Sequence, residues 1–95
     1  MKVIIKRSTN PEKKLMAIFY DGDKKIKTTH FGQRGASDMT QHGDSIRMNR
    51  YLDRHRHKEN WNDYQSAGAL SRFILWNKPS LQASIKDYKS RFNLT

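Results

Sequence analysis

The amino-acid sequence predicts an α+β fold, in which an N-terminal three-stranded antiparallel sheet packs against two or three C-terminal helices. Three observations carry that expectation. Val3 and Ile5 alternate with Lys2 and Lys6, and a second apolar run follows from Leu15 to Tyr20. Asp21-Gly22-Asp23 then separates that run from a third, and beyond Asp44 the apolar spacing widens from two residues to three and four. A chain of 95 residues has room for one core, so residues 1–95 read as a single domain with a β meander over 1–31, a loop over 32–43 and a helical half over 44–95.

Each element has its own reason. Asn10 and Pro11 mark a turn between the first two runs, and Asp21-Gly22-Asp23 is a tight-turn signal because glycine reaches positive φ at no steric cost. Lys24 to Phe31, with Ile26 and Phe31 set among Lys and Thr, reads as the third strand. The stretch GQRGASDMTQHG, Gly32 to Gly43, has no apolar period and reads as a loop leading out of the sheet. Asp44 suits an N-cap, and Met48, Tyr51, Leu52 and His55 recur at helical spacing, which predicts a helix from about Ser45 to His57. Glu59 to Gly68 reads as an irregular connection pinned by Trp61 and Tyr64. A short helix is expected from about Ala69 to Trp76, ended by Pro79. Ser80 then caps a last helix whose Leu81, Ile85, Tyr88 and Phe92 form one apolar stripe.

Charge narrows the function. Lys and Arg number 19 against 9 Asp and Glu, a formal +10, with a pI near 10.2; nucleic acid, anionic surfaces and acidic proteins are the partners this favours. The excess is spread along the chain: 8 basic against 3 acidic residues over 1–27, 5 against 3 over 41–60, and 5 against 1 over 66–95. A folded domain with basic faces fits this better than a neutral body with a basic tail. Cysteine is absent, which excludes disulfides, thiol catalysis and cysteine zinc sites. The start MKVIIKRSTN has three consecutive apolar residues before charge returns, too few for a signal peptide or a membrane span, so the expected protein is neither secreted nor membrane-spanning.

Within the predicted middle helix, Arg47, Arg50, Arg54 and Lys58 fall within about 80° of one another and run along about 16 Å of axis, beside the packing face. Guanidinium groups make planar, two-pronged contacts to phosphate, so this ridge is the leading candidate for a polyanion site. Arg34, Lys86, Lys89 and Arg91 are secondary candidates. The alternative reading of such a ridge is a solvated helix face. The sheet lysines also guard exposed strand edges, and Phe19, Tyr20 and Phe31 are needed more for the core than for base stacking.

Chemistry has weaker support. A metal-dependent nuclease would recruit Asp38, His42, Asp44, His55 and Glu59, yet Asp38 and Asp44 also suit turn and cap duties. His55 and His57 point roughly 160° apart on a helix and cannot share one metal there. No His-x-x-x-His or Glu-x-x-His spacing is present, so neither a metal nor any other cofactor is expected and the protein reads as a non-enzyme. Phe73 and Trp76, in an apolar run, are candidates for packing against a partner protein.

The segments KVIIKRSTNPEKK, HFGQRGASDMTQH, RYLDRHRHKENW and LWNKPSLQASIKDYKSRF resemble parts of an uncharacterised family of small basic proteins encoded by large nucleocytoplasmic DNA viruses, notably those of algae. The resemblance covers nearly the whole chain and implies a setting, the virion or the infected host cell, rather than an activity. The expected function is therefore non-enzymatic binding of nucleic acid, DNA favoured over RNA, through phosphate contacts. The rival is a minor capsid protein that turns its basic faces to acidic virion proteins or to an inner membrane surface.

Overall fold

A computed structural model describes residues 1–95. Strands β1 (Lys2–Arg7), β2 (Lys13–Asp21) and β3 (Lys24–Gln33) form a three-stranded sheet in the order β1-β2-β3, antiparallel throughout. Val3 lies opposite Phe19, Ile5 opposite Ala17, and Leu15 opposite Phe31. Because side chains alternate between faces, Val3, Ala17, Phe19 and Phe31 point together to one side and are buried there. The Asp-Gly-Asp signal becomes a hairpin in which Asp21 pairs with Lys24 and Gly22 takes φ +62°, with a bulge at Phe19/Tyr20 just before it. Across the open edge of β1, the Val3 amide donates to the Thr95 carbonyl and the Thr95 amide to the Met1 carbonyl, each at 3.0 Å.

The helical half covers the buried face of the sheet. Ala69, Leu70, Phe73, Ile74, Leu75, Tyr88 and Leu94 join the four sheet residues in one core cluster. Removal of this apolar surface from water supplies the main drive to fold. Polar groups inside it are matched: the Tyr88 hydroxyl donates to the Tyr64 carbonyl, and the Ser84 hydroxyl accepts from the Lys78 amide at 2.9 Å. No helix is long and apolar enough to cross a membrane.

The α+β architecture matches the expectation, with differences in detail, the first being that β3 runs two residues past Phe31 to Gln33. The presumed loop over 32–43 contains a one-turn helix, α1 (Met39–His42), capped by the Asp38 side chain and closed by Gly43 at φ +62°. Four residues are too few to show a helical period, so only its caps announced it. Helix α2 (Ser45–His55) starts at the Asp44 cap as expected but stops two residues early, and Lys58 lies in the turn that follows. Helix α3 (Ala67–Leu70) begins two residues early because the Ser66 hydroxyl accepts from the Ala69 amide. It then widens into a π turn, Ser71–Leu75, closed by a bond of 2.9 Å from the Trp76 amide to the Ser71 carbonyl, five residues back. Helix α4 (Leu81–Arg91) starts at the Ser80 cap.

Candidate functional site

Asp44 fixes the start of α2: its carboxylate accepts from the amides of Ile46, at 2.9 Å, and Arg47, at 3.3 Å. Tyr51 and Leu52 are then buried, and the neighbouring face carries Arg47, Arg50 and Arg54, all exposed. These three arginines line one depression of about 350 Å³ together with Ala36, Ser37 and Trp76. No acidic residue is in that lining, and none of the three guanidinium groups is in an ion pair, the pairs of the chain being made by Lys14, His55, Arg56 and Arg91. Arg47 reaches Ser37 Oγ at 3.4 Å. Three uncompensated cations around a concave surface make a site for an anion that approaches from solvent.

Trp76 is held there by its own surroundings. Its ring stacks on Tyr51 at 4.5 Å with 6° between planes, and Tyr51 stacks in turn on His55 at 4.2 Å. The Trp76 carbonyl accepts from Arg72 Nη1 at 2.7 Å, while the Arg72 guanidinium lies over the rings of Trp61, at 5.6 Å, and Phe73, at 5.1 Å. Burial, and the nearby charge of Arg91, bring the Arg72 pKa below its ordinary value. The Tyr51 hydroxyl is shifted the other way, well above the usual phenol range, by burial and by the charge of Glu59.

Beside the arginines, and sharing Ala36, Ser37, Arg54 and Trp76 with them, lies a second cleft of about 440 Å³. Phe31, Gly32, Tyr51 and Leu75 supply its apolar part, and its polar part includes the charged Lys13, Lys14, Asp38, Arg54 and Glu59 beside Gln33, His55 and Ser71. Glu59 is fixed within it. Its Oε1 pairs with His55 Nδ1 at 3.1 Å and its Oε2 accepts from Trp61 Nε1 at 3.0 Å. Gly68 permits that position, since a Cβ there would stand 2.9 Å from Glu59 Oε2.

The other predicted residues are placed elsewhere. Lys58 is exposed after the end of α2 and does not line the depression; the ridge is three arginines, and the fourth position is lost because the helix stops before the period can return. Arg34 lines a separate hollow with Pro11, Glu12, Lys13 and Gln33. Lys86 and Lys89 flank a groove on α4 with Gln82 and Ile85. Arg91 lies 4.7 Å from the Phe73 ring and pairs with Asp87 at 3.2 Å. Burial pushes the Asp87 carboxyl up, but the hydrogen bonds from Asn77 and Arg91 and the charges of Arg91 and Lys78 outweigh it and leave the pKa below the ordinary value. Phe73 belongs to the chain's own core rather than to a partner-facing surface, its ring packed edge-on against Phe92 at 5.4 Å.

The nuclease candidates are committed to local structure. Asp38 caps α1 and pairs with Lys14, Asp44 caps α2, and His42 Nδ1 accepts from the Asp44 amide at 2.8 Å. No three His, Asp or Glu side chains are grouped so as to hold a metal ion. Sequence reasoning missed Ser37, Glu59 as a fixed acceptor, and Arg72 as the support of Trp76. Only the spacing of Arg72 and Trp76, one helical turn apart, hinted at the last.

The model of one protein family, described only as a family of unknown function, matches residues 3–55, which take in nearly all of the sheet, α1 and α2. No curated protein and no solved structure matches the chain.

Proposed function

The chain belongs to that family of unknown function, DUF5754, and we propose that it binds nucleic acid through phosphate contacts, without chemistry, with Arg47, Arg50 and Arg54 as the main contact set. One observation carries this reading: three guanidinium groups from successive turns of α2 meet at one depression that contains no carboxylate. Phosphates along a strand offer repeated negative charge, and Arg presents a fork of donors that suits them. The formal charge of +10 raises the local concentration of any polyanion around this point. The virion or infected-cell setting rests on the sequence resemblance described above.

A shift assay with labelled duplex and single-stranded DNA and with RNA tests the reading. Binding is expected at low salt and falls as salt rises, by about 0.9 in the logarithmic slope for each phosphate contacted on B-DNA. Arg50→Glu combined with Arg54→Glu removes binding and leaves the circular dichroism spectrum unchanged, because both side chains are exposed and unpaired. Absence of binding to all three probes at low salt overturns the proposal.

A minor capsid role is the second reading, and exposed apolar residues favour it: Ile46 is 64% exposed, and Ile4 and Ile26 are exposed on the sheet. Absence of the protein from purified particles would exclude it.

A further inference from the structure

We infer that the cleft beside the arginines takes one unpaired base of a nucleic-acid strand whose phosphate sits over Arg47, Arg50 and Arg54, and that Glu59 selects bases with an exocyclic amino group. The inference rests on the phosphate-binding reading and adds to it the form of the ligand. Geometry supplies the first reason. The two depressions share Ala36, Ser37, Arg54 and Trp76, so an anion held by the arginines has its attached group at the mouth of the cleft. At about 440 Å³ the cleft falls in the range of small-molecule sites. Phe31, Tyr51 and Leu75 give a base apolar surface to lie on, most of the rest of the lining is polar or charged, and its other carboxylate, Asp38, is already engaged by Lys14 and the Thr40 amide.

The second reason is Glu59. A carboxylate beside a basic depression works against anion binding, yet this one is fixed by two donors, and its side chain keeps 25% exposure. A carboxylate can accept about four hydrogen bonds, so Glu59 has acceptor capacity left after His55 and Trp61. Its preferred partner is an N–H donor that arrives with the ligand. Cytosine, adenine and guanine carry an exocyclic amino group and thymine does not, which makes Glu59 a discriminating contact. A base paired in a duplex has that amino group engaged and its ring stacked, so the cleft is open only to unpaired nucleotides.

Fluorescence anisotropy with labelled dC12, dT12 and a blunt duplex of equal length, at one salt concentration, tests this on the full chain. The expected order is dC12 tighter than dT12 by about tenfold, the difference a hydrogen bond to a charged group makes, with the duplex weaker than dC12. Glu59→Gln brings dC12 to within about twofold of dT12. Ala36→Trp, on the exposed lip shared by both depressions, does the same without touching Glu59 or its partners. Arg50→Glu weakens all three probes together. If dC12, dT12 and duplex bind alike and neither Glu59→Gln nor Ala36→Trp changes their ratio, the base site is wrong while the phosphate reading stands. No binding to any probe at low salt removes both.

Discussion

Tyr51 and Tyr88 each bury a phenol that the folded chain holds protonated, and both pKa values are raised above the ordinary value of 10.0, by burial first and then by nearby negative charge. The unfolded chain gives up these protons from about pH 10 upward. A folded-state pKa above the unfolded one contributes stability that is whole below pH 10 and is lost as pH rises through the interval between the two. Denaturant melts from neutral pH to beyond pH 10 should therefore show stability falling on the alkaline side. In the Tyr51→Phe, Tyr88→Phe double variant that fall should flatten, and an unchanged alkaline slope would show that burial of these phenols is not its source. At neutral pH, Tyr88→Phe also leaves the Tyr64 carbonyl without its donor, a loss of about 1 kcal/mol.

Among the elements, β3 and the π turn approach closely at one glycine. Gly32 lies in β3 at φ +78°, and a Cβ on it would come within 2.6 Å of Leu75 Cδ1. Gly32→Ala should lower stability by about 2 kcal/mol through backbone strain and overpacking, read as a lower denaturant midpoint with unchanged slope. Gly22, at φ +62° with open space around its Cβ position, is the control: Gly22→Ala carries the strain alone and should cost about half as much. Equal losses at the two sites would show that Leu75 moves aside freely.

How far these elements could be read in advance depended on period and caps. The meander was legible because Val3 and Ile5 alternate with lysines, Leu15–Tyr20 is an unbroken apolar run, and Asn10-Pro11 and Asp21-Gly22 mark the two turns, while Asp44 and Ser80 announced α2 and α4 as caps. Helix α1 was too short to show a period. The π turn was hidden because widening leaves the same apolar residues in the same order. In the site, three arginines were legible from helical spacing, whereas their meeting with Trp76 and Ser37 depends on tertiary placement that no local pattern encodes.

For the molecule as a whole, a formal +10 on 95 residues means self-repulsion in the compact state. Sodium chloride should therefore act with opposite signs on two measurements, raising the melting temperature of the free protein while weakening its complex with DNA. A melting temperature that falls with salt would show that the four ion pairs outweigh the net repulsion. The π turn has a bearing on the whole molecule too, and it is a matter of counting. It seats one residue more than an α-helical turn, so removing any one of residues 71–75 would restore a regular helix and swing everything after it by about 100°. Trp76 would leave the arginines although every apolar residue type needed for a core remained. Between Ser66 and Pro79 the chain thus tolerates a change of letter more readily than a change of length.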